Sequence, residues 1–140
     1  MKFLIDANVW FELLHDRAGK EDVMKMLAAA PRRLLATTDF AIHTVGVVVA
    51  KKQAQVFATF LEDLIRNEVG VVHLSPTAYR QVIESMRLLK LDFDDAIQYV
   101  AAERDDLMIV SLDADFDRTP RGRKTPAQVL AELAAAPPSP

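Results

Sequence analysis

The chain has 140 residues, 51% hydrophobic and 26% charged, with a formal net charge of −3 and no cysteine. That length suits one domain burying roughly 70% of its extended-chain surface, and the composition is ordinary for a soluble globular fold. The absence of cysteine excludes disulfides and thiolate metal sites, the apolar stretches fall short of the roughly 20 residues a membrane helix needs, and the acidic balance excludes nucleic-acid binding by overall charge alone.

Lys2-Phe3-Leu4-Ile5 is a short apolar run, expected to be a buried strand, and Asp6 follows it directly. A single lysine, a strand and then an acid do not resemble a signal peptide, so the expectation is a cytoplasmic protein with no membrane association. From Asn8 to Asp16, Val9, Trp10, Leu13 and Leu14 fall on one helical face, with Asn8 as the expected N-cap. Glu21 to Ala30 reads as a second helix, stopped by Pro31. Leu34 to Thr37 suits a buried strand.

Asp39 to Ala50 has β-branched valines, yet the alternating pattern of elements places a helix here. Its sides are apolar nearly all round, which suits a central helix or an interface, and Gly46 permits close approach of a neighbour. Gln53 to Arg66 is amphipathic, with Val56, Phe57, Phe60, Leu61 and Leu64 along one side. Val69 to Leu74 is the next strand, and Ser75-Pro76 opens a helix that runs to Leu89.

The helix after Leu91 repeats apolar residues at Phe93, Ala96, Ile97, Val100 and Ala101. Asp92, Asp94 and Asp95 crowd its first turn, where one acid caps and others complement the dipole. Leu107 to Leu112 is a further buried strand that breaks into Asp113, Asp115 and Asp117. A basic loop of Arg118, Arg121, Arg123 and Lys124 comes next, then a helix opened by Thr125-Pro126. Residues 1–135 are expected to form one domain and residues 136–140 a disordered tail. The whole is an α/β pattern with a parallel sheet and helices on both faces.

Carboxylates gathered at strand ends repel one another, and a hard cation such as Mg²⁺ or Mn²⁺ offsets that repulsion with oxygen ligands. Such sites suit phosphodiester hydrolysis. The loop that follows the acids is the dense basic run of the chain, and it is expected to contact substrate phosphates.

Phe-Leu-Ile-Asp-Ala-Asn at 3–8, Asp-Phe-Asp-Asp-Ala at 92–96 and Val-Ser-Leu-Asp-Ala-Asp-Phe-Asp at 110–117 resemble, in this order, the motifs of the PIN-domain family. That family includes the VapC-like ribonuclease toxins of toxin–antitoxin pairs. The resemblance implies a three-layer α/β/α fold around a parallel sheet of four to five strands. It implies a Mg²⁺- or Mn²⁺-dependent endoribonuclease, an antitoxin partner and a homodimer. It assigns Asp6, Asp95 and Asp113 as metal ligands and catalytic acids; Asp115, in the same run of acids, is expected to support them on the metal. Ser111 corresponds to the hydroxyl before the last acid, and Asp117 stands in support. A helical wheel puts Asp94 nearer the buried face than Asp95, so Asp94 is held in reserve.

One departure concerns the helix after the second strand, where the family carries a glutamate. Here that place holds His43 or Thr44, with Asp39 one turn earlier as another supporting acid or a simple N-cap. The alternative function is therefore a catalytically weakened module that binds RNA or protein. A phosphotransfer domain fits less well, because the internal strand ends in His73-Leu74-Ser75 without an acid. A phosphatase with an aspartyl nucleophile would want an acid where Asn8 stands. His15, His43 and His73 share no ligand spacing and read as structural.

Overall fold

A computed structural model describes residues 1–136; residues 137–140, most of the expected tail, lie outside the described residues. Four parallel strands form the centre: β1 (Phe3–Ile5), β2 (Leu35–Thr38), β3 (Gly70–Val72) and β4 (Met108–Val110), in the order β3-β2-β1-β4. Seven helices surround them: α1 (Ala7–Leu14), α2 (Lys20–Ala29), α3 (Asp39–Val49), α4 (Ala54–Arg66), α5 (Pro76–Leu89), α6 (Phe93–Arg104) and α7 (Pro126–Ala135). The segment with valine-rich strand propensity is a helix, because burial of its Ala41, Val45 and Val49 stripe against the sheet outweighs intrinsic preference.

Alternation along each strand divides the core into two layers. Phe3 and Ile5 of β1 and Val110 of β4 join Trp10, Val23, Met26, Val45, Phe60 and Val129 on one face. Leu4 and Ile109 face the other way, onto Val82, Leu91, Ile97 and Val100 of the α5–α6 layer. The sheet therefore lies between two helical layers, as the motif pattern implied. Close packing within the first layer depends on Gly46: a Cβ there would stand 3.0 Å from the Phe57 ring.

Several boundaries differ from the sequence expectation. The N-cap of α1 is Asp6, whose side chain accepts from Ala7 N, and not Asn8. Likewise Thr38, not Asp39, caps α3 through Ala41 N. Phe93, expected on the buried face of α6, is 44% exposed. After β4, Asp115 and Asp117 lie in a 3₁₀ turn, Ala114–Arg118, capped by Asp113.

The chain moves outward from β1 to β2 and β3, then returns to place β4 on the opposite side of β1. The β1–β4 junction is thus the point where strand order reverses, the usual place for a ligand in an open parallel sheet. Both strands run the same way, so Asp6 and the Ser111–Asp113 turn leave the sheet side by side at its carboxyl edge.

Candidate metal centre

Asp6 is held rigidly where β1 becomes α1. Its carboxylate, 7% exposed, accepts from Ala7 N at 2.8 Å and Gln98 Nε2 at 2.9 Å through Oδ1, and from Ser111 Oγ at 2.8 Å through Oδ2. Burial raises its pKa against these donors, with a further push from Asp113. Ser111 is a hub: while donating to Asp6 it accepts from Asn8 Nδ2 at 3.0 Å and from Asp113 N at 3.0 Å. Asn8 Oδ1 in turn accepts from Leu112 N at 3.1 Å. These bonds tie the end of β4 to the start of α1.

Asp95 is the buried acid of its trio, whereas Asp92 and Asp94 are exposed. Asp92 takes the capping role, accepting from Asp95 N at 2.9 Å. In the first turn the chain enters at an angle set by the cap, so the wheel extrapolated from the middle of α6 picks the wrong neighbour. Burial first, then the Asp113 and Asp92 charges and a hydrogen bond with Asp113, push Asp95 up to about 8.

The structure brings Asp95, Asp113 and Asp115 together, each offering a carboxylate oxygen within 4.8 Å of the others. Asp6 stands beside them and interacts with both Asp95 and Asp113. The donor set fits a hard divalent cation: it is all oxygen, and one of its carboxyls keeps its proton near neutrality until an opposite charge arrives. A cavity of about 190 Å³ adjoins the acids, lined by Asp6, Asn8, Phe11, Phe40, Thr44, Asp94, Asp95 and Gln98. Thr44 rather than His43 occupies the place where the fourth acid was missed, its hydroxyl donating to Phe40 O at 3.0 Å.

Other residues singled out in the sequence fall elsewhere. Asp39 points to the β3 side and pairs with His73 at 3.0 Å. Asp117 is clamped by Arg123 at 3.0 and 3.2 Å and lies outside the cluster of Asp95, Asp113 and Asp115. The basic loop is not a free cationic patch. Arg118 binds Asp115, Arg121 binds Asp106, Arg123 binds Asp117 and Lys124 binds Glu132. Its backbone pairs with β4 at the Val110–Lys124 bridge, and Arg118 also reaches the terminal carbonyls Leu89 O and Lys90 O of α5.

Two buried polar residues escaped the sequence expectation. Gln98 lies within α6, and Thr38 comes one residue after the expected strand; neither was singled out in the sequence. Both are 2% exposed or less and hydrogen-bonded to each other at 2.9 Å. A glutamine one turn after Asp95 was the available signal.

A three-layer α/β/α fold with acids from β1, α6 and the turn after β4 converging at the reversal of strand order defines a class of proteins with an acidic site at the carboxyl edge of the sheet. The model of the PIN domain matches residues 3–122, and the chain belongs to that family. No curated protein matches the sequence. Among solved structures, the chain resembles a toxin–antitoxin complex from Klebsiella pneumoniae, with a TM-score of 0.71 and 21% identity over 89% of this chain and 98% of that one. It also resembles PAE2754 from Pyrobaculum aerophilum, with a TM-score of 0.68 and 22% identity over 97% of this chain and 91% of that one.

Proposed function

We propose that this protein is a metal-dependent ribonuclease of the PIN type, acting as the toxin of a toxin–antitoxin pair. The observation that carries this is the convergence of Asp95, Asp113 and Asp115 beside the buried Asp6. Asp95, Asp113 and Asp115 would hold Mg²⁺ or Mn²⁺, and Asp6 would add its Oδ2. The ion, when bound, supplies an activated water and charge stabilisation at a phosphoryl oxygen. Ser111 and Asn8 keep the end of β4 and the start of α1 in register, so that acids from separate elements keep their mutual spacing. Thr44 and Asp94 face the adjoining cavity, where they can orient water or a nucleotide by hydrogen bonding.

Of the four loop cations, Arg118 best supports a role in RNA contact. Its side chain is 47% exposed, and its partner Asp115 is an acid that a cation would engage, which would release the guanidinium. An antitoxin has a fitting place on the opposite helical layer. There a hollow of about 570 Å³, lined by Trp10, Leu14, Leu27, Val56, Phe60 and Leu64, opens between α1, α2 and α4. The resemblance to a toxin–antitoxin complex supports that partner. Exposed Val47 and Val48 on α3 favour a homodimer. No described helix is long and apolar enough to cross a membrane, and a cytoplasmic location suits RNA as substrate.

Thr44 in place of a fourth acid favours one second reading, a weakened PIN domain that binds RNA or protein without cutting. Purified chain with single-stranded RNA separates the two. Cleavage dependent on Mn²⁺ or Mg²⁺, lost in EDTA and in Asp6→Asn and Asp113→Asn, supports the nuclease. RNA binding without cleavage under all these conditions supports the module.

A further inference from the structure

Asp6 is linked to the start of α3 by two buried side chains that, among the described residues, hydrogen-bond to no other acid of the cluster. Thr38 Oγ1 accepts the capping N–H of Ala41 at 2.9 Å, so its own proton is free to be donated. Gln98 Oε1 receives it at 2.9 Å. That bond decides the orientation of the amide, since the same end of Gln98 cannot face both a hydroxyl donor and a carboxylate. Nε2 is thereby turned to Asp6 Oδ1, at 2.9 Å. Ala7 N takes the remaining lone pair of Oδ1, and Ser111 Oγ takes one of Oδ2. A single acceptor position is left on Asp6.

We propose that Gln98 and Thr38 are positioning residues for the metal centre: the Thr38 hydroxyl sets the Gln98 amide, and the amide fixes Asp6 so that only Oδ2 is presented to a cation. This rests on the metal-binding reading of the acids given above. Thr38 is 1% exposed, Gln98 2% and Asp6 7%, so bulk water does not replace either donor. With its hydroxyl partner removed, Gln98 Oε1 is left buried without a donor, and the amide loses one of the two bonds that hold its donor end against Asp6. The opposite orientation sets an amide oxygen against a carboxylate. Partners that orient a ligand are commonly worth 10–100-fold in metal affinity.

The test is Mn²⁺ binding by the purified chain, measured by calorimetry, alongside the thermal unfolding of each metal-free variant. Gln98→Met and Thr38→Val are expected to weaken binding about 10-fold or more, although neither side chain reaches the ion. Thr38→Ser keeps the hydroxyl and is expected to restore wild-type affinity. A merely structural role would lower the unfolding temperature and leave the affinity of the folded protein unchanged. Equal Mn²⁺ affinity in folded Thr38→Val and wild type overturns the proposal, as does a Thr38→Ser variant impaired as much as Thr38→Val. Should Gln98→Met fail to fold, the threonine pair decides alone. A wild-type chain that binds no Mn²⁺ overturns the metal-binding reading itself, and this proposal with it.

Discussion

Asp95, in the first turn of α6, and Asp113, just beyond β4, bring carboxylate oxygens within 4.8 Å of each other, and burial first, then the Asp113 charge, pushes the Asp95 pKa up to about 8. Two ionised carboxylates in that contact would repel strongly, so the metal-free site relieves itself by protonation.

The first prediction follows from that proton. Asp95 rises from an ordinary value of 3.8 to about 8 on folding, so between these values the folded chain binds more protons than the unfolded chain. Stability of the metal-free protein is therefore fully present at low pH and lost progressively as pH rises through the window to about 8. The raised Asp6 acts in the same direction. Urea unfolding in EDTA across this range should show the decline, and Asp95→Asn should flatten it. Stability independent of pH in the wild type would contradict the Asp95–Asp113 contact.

A cation needs the deprotonated carboxylate, so Mn²⁺ must displace the Asp95 proton at pH 6.5 but far less of it at pH 8.5. Binding should be tighter at the higher pH, and proton uptake by buffer should be visible as a dependence of the calorimetric enthalpy on buffer ionisation. The rise in unfolding temperature at saturating Mn²⁺ should follow the same order. Asp95→Asn should lose both the proton release and most of the affinity.

Arg123 and Arg118 should separate cleanly. The Arg123 side chain is 14% exposed, forks onto Asp117 and donates to Ser111 O at 3.0 Å. Its removal should destabilise the protein by about 1–3 kcal/mol, the range for charged hydrogen bonds, with little change in the salt dependence of RNA binding. Arg118→Ala should instead reduce the slope of log affinity against log salt by roughly one phosphate contact. Urea unfolding and RNA titrations at several salt concentrations check both. A slope unmoved by Arg118→Ala would remove the loop from the RNA interface.

Thr44→Glu should tighten Mn²⁺ binding and raise cleavage, because Thr44 lines the cavity shared with Asp6 and Asp95. Asp39→Asn should change neither, since Asp39 is occupied with His73 on the far side of α3's first turn. The reverse outcome would make Asp39 the fourth ligand.

The local rules of the chain announced much of this architecture before any contact was known. Short apolar runs followed by acids marked β1 and β4, since a strand buried on both faces reads as a nearly continuous apolar run until it leaves the sheet. Ser75-Pro76 and Thr125-Pro126 marked helix starts that the structure places at Pro76 and Pro126. Even the helical α3 followed from the alternation of elements.

What only the tertiary structure decided was the partner of each polar side chain. Asp6 is 92 residues from Gln98 and 105 from Ser111, and no periodicity encodes such pairs. The basic loop showed its charge in the sequence but not its acids, because Asp106 precedes it, Asp117 adjoins it and Glu132 arrives from α7. Asp94 and Asp95 are adjacent and chemically identical, and only the entry angle of α6 buries one and exposes the other. Periodicity records which way a residue faces along its own element. Whether it meets a carboxylate, a hydroxyl or water there depends on elements that are close only once the sheet has ordered them.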